Sequence, residues 1–206
     1  MRLFLLTAAL FFSLLHAQED PTLRKNVILV FDDSGSMAAN DKLRRAQDAT
    51  AEFIRRLPDS YNLGIYALNR GYIFELQPLD DAKKQALIGT IRHLRADGRT
   101  PLAKAIRKMT KVLFLRRIEQ AGYGTYTIVI ATDGAADSPQ AMFKAVDQSI
   151  NEGIIIKTIG IDIYNHGLQR VTEFTKASST QQLTAAMQKA IRAEVDVPAG
   201  FIPQDF

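Results

Sequence analysis

The chain has 206 residues, 47% of them hydrophobic and 23% charged, which suits one globular domain with a full core. The absence of cysteine excludes disulfides and zinc–thiolate sites together, and three histidines leave a His-based metal site or catalytic triad poorly supplied. A formal charge of +4 is only mildly basic and demands no nucleic-acid partner.

The first residues read as a secretory signal peptide rather than as part of the domain. Arg2 supplies a short positive region, Leu3 to Leu15 an apolar core, and His16-Ala17 a cleavage site before Gln18. The apolar run is too short for a conventional transmembrane helix. Leu15 at the third position before the cut leaves an uncleaved anchor as the alternative. No Cys follows the run, which excludes a lipid-anchored bacterial lipoprotein. Removing residues 1–17 takes away Arg2 alone and leaves 25 basic against 22 acidic residues. The expectation is an exported protein, periplasmic or secreted, with its domain over residues 24–193 and a tail over 194–206. No stable membrane insertion is expected after cleavage.

Val27 to Phe31 form a continuous apolar run, too short for a helix and rich in β-branched residues, as in a strand buried on both faces. The run stops at Asp32, and Ser34 and Ser36 follow around Gly35. From Asn40 to Leu57 apolar residues recur at helical spacing, with Lys42, Arg44, Arg45, Asp48, Glu52 and Arg55 mostly off the stripe; Pro58 ends that helix. Tyr61–Leu68 and Tyr72–Leu76 read as strands joined by the turn Asn69-Arg70-Gly71, so the second should run antiparallel to the first. A helix opens at Asp80-Asp81 and carries Leu87, Ile88, Ile91 and Leu94. Asp97-Gly98-Arg99 breaks the pattern, and Thr100-Pro101 starts the next helix with Thr as N-cap and Pro at the first helical position. The basic face of that helix reads as solvated, with an acidic docking surface as the lesser alternative.

Tyr126 to Ala131 is a second continuous apolar strand, ending in Thr132-Asp133-Gly134. Ser138-Pro139 opens a helix closed by Gly153, and Ile154–Ile161 is another strand with Asp162 just beyond it. Leu168, Val171 and Phe174 suggest a short helix, and Ser178 to Thr180 introduce the last one. Apolar strands alternating with helices mean a doubly wound α/β domain: a mostly parallel sheet with one antiparallel edge strand and helices on both faces.

Open sheets of this kind place their sites at the carboxyl ends of the strands. If the strands at Val27 and Tyr126 are neighbours, Asp32 and Asp133 lie side by side there, and Thr100 can join them. The candidate set is Asp32, Ser34, Ser36, Thr100 and Asp133, two carboxylates and three hydroxyls. With no soft ligand among them, Mg²⁺ is expected first, with Mn²⁺ or Ca²⁺ as alternatives. Five side chains leave room in a shell of about six oxygens for water or an incoming ligand. A partner's Asp or Glu carboxylate is the natural one. The competing reading takes these Asp and Ser residues as ordinary helix caps.

Together Asp32-x-Ser34-x-Ser36, Thr100 within Gly98-Arg99-Thr100-Pro101-Leu102, and Thr132-Asp133-Gly134 resemble the metal-ion-dependent adhesion site (MIDAS) of the von Willebrand factor type A domain. The likeness covers roughly residues 24 to 193. It implies direct contact of Ser34, Ser36 and Thr100 with the ion, with Asp32 and Asp133 often acting through water. It also implies metal-dependent binding of a protein ligand. Two positions depart from the family pattern. Asp33 adds a negative charge beside the site, which would tighten the ion or discourage an acidic ligand. Ala177-Ser178-Ser179-Thr180-Gln181 runs almost straight into the last helix, so the final edge strand is expected to be absent or reduced to a residue or two.

Two other classes of function compete. A Mg²⁺-dependent phosphatase-like hydrolase could use Asp32 as nucleophile, but it needs a second acid two residues on, where Ser34 stands. A serine hydrolase lacks its Gly-x-Ser-x-Gly elbow, and neither His93 nor His166 has a triad context. A structural envelope domain without metal function is the other alternative. The expected function is therefore non-enzymatic: an exported domain that grips a protein partner through a divalent cation. The sequence says nothing of its oligomeric state.

Overall fold

The computed structural model describes residues 24–163 and 167–192; the leader-like residues 1–17, the tail from 194 onward and His166 lie outside them. The described chain runs β1 (Lys25–Phe31), α1 (Lys42–Arg56), β2 (Tyr61–Ala67), β3 (Gly71–Pro78), α2 (Asp81–Arg92), α3 (Leu102–Glu119), β4 (Tyr126–Thr132), α4 (Pro139–Asn151), β5 (Ile155–Ile161), β6 (Glu173–Ala177) and α5 (Thr180–Ile191). Short 3-10 turns occupy Gly35–Asp41 and Gly167–Arg170. The strands form one sheet in the order β3-β2-β1-β4-β5-β6. All neighbours pair in parallel except β2 with β3, so the antiparallel strand sits at an edge, as the short Asn69-Arg70-Gly71 turn predicts.

Two-residue alternation along the central strands divides the interior into two cores. Val27, Leu29 and Phe31 of β1 face one side, where they join Phe53 and Ile54 of α1, Ile88 and Ile91 of α2, and Leu183 and Met187 of α5. Ile28 and Val30 face the other, against Ile106, Met109 and Leu113 of α3 and Met142 and Val146 of α4. Strands with an apolar contact on both faces cannot alternate with polar residues, which is why β1 and β4 are legible as unbroken apolar runs.

The order of the strands makes the gap between β1 and β4 the switch point of the sheet. After β1 the chain leaves toward β2, and after β4 it leaves toward β5, so the two loops diverge and open a crevice between them.

Two expectations need correcting here. Thr100 is not the N-cap of α3: Pro101 holds that position, and Leu102 is the first helical residue. The offset leaves the Thr100 side chain outside the helix. The final edge strand is also present. Leu168 lies in the 3-10 turn, but Phe174 belongs to β6, which pairs with β5 from Lys157↔Glu173 to Ile161↔Ala177. The three-residue spacing of Leu168, Val171 and Phe174 imitates a helix, whereas the strand is stabilised by contacts to β5. Lys157 Nζ lies 2.9 Å from Glu173. The Phe174 ring covers Gly160 so closely that a methyl group there would come within 2.4 Å of it.

That contact generates a test. Gly160→Val should displace the Phe174 ring and destabilise the domain by about 1–3 kcal/mol in denaturant unfolding, the range for overpacking.

Candidate metal centre

The first loop of the site is shaped by Asp32. Its carboxylate, fully buried, accepts a hydrogen bond from the Ser34 backbone N–H at 2.8 Å and another from the Thr132 hydroxyl at the end of β4. These bonds bind the β1 and β4 ends together and fold the chain back on itself. Met37, also fully buried, anchors the far end of the loop in the core, and its N–H donates to the Ser34 carbonyl at 3.0 Å. The outcome is two convergent side chains, with Ser34 Oγ and Ser36 Oγ 3.1 Å apart.

The second loop carries Thr100 and is clamped from both sides. On one side Asn69, in the β2–β3 turn, accepts from Arg99 N at 3.1 Å and donates to Arg99 O at 2.9 Å. Gly98 permits this approach. Its φ is +80°, and a methyl group there would fall 2.4 Å from Asn69 Oδ1, so both backbone and space require glycine. On the other side Asp137 Oδ1 accepts from Thr100 N at 3.1 Å, and Asp137 N donates back to Thr100 O at 3.1 Å. Asp137 thus braces the loop.

The third loop brings Asp133, whose side chain is fully buried. Its Oδ1 accepts from the Ser36 hydroxyl at 2.7 Å, while Oδ2 accepts from Lys42 Nζ at 2.6 Å. The next residue, Gly134, keeps the centre open: a methyl group there would stand 3.7 Å from both Ser36 Oγ and Thr100 Oγ1. The hydroxyls of Ser36 and Thr100 therefore flank a common point beside Asp133. All five residues singled out in the sequence are brought to one place by three separate loops.

Asp33 does not belong to this cluster. Its buried carboxylate pairs with the Arg70 guanidinium and accepts from Asn69 N at 2.9 Å, so its charge holds the β2–β3 turn instead of facing the hydroxyls. Asp162 is likewise engaged, by the Arg45 guanidinium, whose hydrogen bond pulls its carboxyl below the ordinary range. Asp32 differs from all of these. Among the described residues no cationic side chain pairs with it, and burial pushes its carboxyl above the ordinary range against the hydrogen bonds from Ser34 and Thr132.

Lys42 and Arg45 are the residues that reading by helical periodicity missed. Being off the apolar stripe of α1 places them near its polar face, yet they reach back to carboxylates at the ends of β4 and β5. The available signal was local. A lysine in the first turn of a helix opposes the macrodipole, so its presence there points to a partner elsewhere.

The residues fit a hard divalent cation. An octahedral ion with bonds of about 2.0–2.1 Å holds adjacent oxygens roughly 3 Å apart, and the Ser34–Ser36 separation of 3.1 Å matches that spacing. Among the described residues no group of three or more His, Cys, Asp or Glu side chains could hold a metal. Hydroxyls therefore have to supply much of any coordination.

An open α/β sheet with an oxygen-lined crevice at its switch point defines the class of protein. The profile of the von Willebrand factor type A domain matches residues 27–135, and the chain belongs to that family. Solved structures agree on the fold. A von Willebrand factor type A protein from Catenulispora acidiphila superposes with a TM-score of 0.68 at 18% identity, covering 81% of this chain and 41% of that one. Proximal thread matrix protein 1 from the mussel byssus, with its MIDAS motif occupied by zinc, gives 0.65 at 17%, covering 82% and 47%. Manganese-loaded TRAP protein of Plasmodium vivax gives 0.62 at 13%, covering 82% and 74%. The chain thus spans less than half the length of the first two. No curated protein sequence matches it.

Two outcomes follow from the electrostatics. Asp32→Asn, which removes the one carboxylate of the crevice lacking a counter-charge, should stabilise the protein in EDTA by roughly 1 kcal/mol in urea unfolding at pH 7. Asp162→Asn should cost about 0.5–1 kcal/mol at pH 7 through loss of a partly exposed pair. Because Arg45 depresses the Asp162 pKa, that stabilisation is complete above its ordinary value of 3.8 and disappears as pH falls through the lower folded value. Wild type and Asp162→Asn should therefore converge in stability in acid.

Proposed function

We propose that this domain binds a protein partner through a divalent cation held by Asp32, Ser34, Ser36, Thr100 and Asp133, with a carboxylate of the partner completing the shell. The observation that carries the reading is the convergence of Ser36, Thr100 and Asp133 from three loops onto one point beside Gly134. Ser34, Ser36 and Thr100 would touch the ion, and Asp32 and Asp133 would act from behind them or through water. When bound, the ion supplies an electropositive centre that accepts an anionic oxygen. Mg²⁺ suits the all-oxygen donor set first, with Mn²⁺ and Ca²⁺ as alternatives. The metal named for the MIDAS of the mussel protein and for TRAP lends support by analogy.

The same reading makes the protein a binder and not an enzyme. A phosphatase using Asp32 as nucleophile would need a neighbouring general acid, and the adjacent carboxylate of Asp33 is committed to Arg70 and Asn69. The leader-like sequence of residues 1–17 supports an encounter outside the cytoplasm, in a periplasm or beyond the cell. Among the described residues no helix is long and apolar enough to cross a membrane.

Isothermal titration of Mg²⁺ and Mn²⁺ into the mature protein tests the site. Saturable uptake by the wild type, weakened tenfold or more in Ser34→Ala, a loss of about 1.4 kcal/mol, is the expected result. Uptake unaffected by that substitution would overturn the assignment. A pulldown from envelope extract in Mg²⁺ and again in EDTA should then retain the partner only with the cation.

A further inference from the structure

Lysine is seldom buried unless it is paired, and a cation in the first turn of a helix works against the macrodipole. Lys42 does both: it is the first residue of α1, and its side chain is only 16% exposed. Asn40 and Asp41 just before it adopt left-handed backbone, with φ of 54° and 55°. What compensates is the 2.6 Å bond to Asp133 Oδ2. That bond leaves Oδ1 to Ser36, so the ammonium stands on the side of the carboxylate away from the hydroxyl cluster. Lys42 therefore neutralises Asp133 without occupying the place where the hydroxyls converge.

The consequence lies in the charge count at this edge of the sheet. Asp33 has Arg70, Asp162 has Arg45 and Asp133 has Lys42. Of the two carboxylates that meet the hydroxyl cluster, Asp32 alone among the described residues lacks a cation, and it is left to balance a divalent ion of twice its charge. We propose that Lys42 keeps the site one negative charge short, so that the domain alone holds the cation weakly and holds it firmly only together with a partner's carboxylate. This rests on the cation reading above and adds to it the reason an acidic partner is required. Without Lys42, Asp32 and Asp133 would balance the ion by themselves, and an incoming carboxylate would gain little.

The test is a titration of Mn²⁺, read from the spin resonance of the free ion, into the mature wild type and into Lys42→Met. Each is measured alone and with excess acetyl-Gly-Glu-Gly-amide, the Gln peptide serving as control. Lys42→Gln is measured in parallel, because it keeps a hydrogen bond to Asp133 without the charge and remains usable if the Met variant does not fold. Removing a unit charge this close to the ion should tighten Mn²⁺ binding by the uncharged variants on the order of tenfold. The Glu peptide should tighten Mn²⁺ binding by the wild type several-fold, and that gain should shrink toward nothing in the variants. In EDTA the variants should melt below the wild type, with Mn²⁺ restoring more of the loss than it adds to the wild type, because Asp133 is left as an unpaired buried charge. Measurable wild-type uptake that the variants do not exceed would overturn the role of Lys42 and leave the cation site standing. A Glu peptide that fails to tighten wild-type binding would overturn the coupling. Absence of Mn²⁺ uptake by the wild type would overturn the site and this inference together.

Discussion

A carboxylate carried to the end of a buried parallel strand must be given donors or a counter-charge, because an unpaired charge there costs several kcal/mol. The polar edge of this domain is built from that requirement. Asp33, Asp133 and Asp162 follow β1, β4 and β5, and each is met by a cation from another element: Arg70 from the β2–β3 turn, Lys42 and Arg45 from α1. These pairs tie the hairpin and the first helix to the ends of the central strands. Asp32 receives hydrogen bonds from Ser34 and Thr132 but, among the described residues, no cation, and remains the charged group on which a hard cation could be seated.

Hydroxyls are weak ligands, so a site that relies on them has to present them already converged. The loops meet this condition by being tied to one another. Gly35 N donates to Gly98 O, Asn69 grips both sides of Arg99, and Asp137 closes a reciprocal pair with Thr100. Gly98 and Gly134 contribute by lacking a side chain, the one so that Asn69 can approach and the other so that the space between Ser36 and Thr100 stays open. The rigidity of the crevice thus comes from residues that carry no functional atom themselves.

Two features look like departures from the family pattern in the sequence and turn out to be structural. The charge of Asp33 is engaged by Arg70 and Asn69 and is held at the β2–β3 turn instead of facing the hydroxyls of the crevice. The direct run of Ala177-Ser178-Ser179-Thr180-Gln181 into α5 does not remove the edge strand, because β6 is held by Phe174 over Gly160 and by the Lys157–Glu173 pair. In both cases the deciding partner lies at a distance along the chain and across the fold.

The amino-acid sequence by itself determined what depends on local chemistry. The continuous apolar runs at Val27–Phe31 and Tyr126–Ala131 specify strands with both faces covered, and the helical stripes between them specify a doubly wound sheet. Asp32, Ser34, Ser36, Thr100 and Asp133 were legible too, as oxygen-bearing residues placed where such strands end. Only the tertiary structure decided which carboxylate keeps its charge available, because that depends on which cation reaches which strand end. Lys42 sits on a helix face that periodicity marks as solvated, and its bond to Asp133 spans 91 positions of the chain. Periodicity records the side of a helix that meets the core, whereas a long side chain at a helix end can reach a charge that no local pattern reveals.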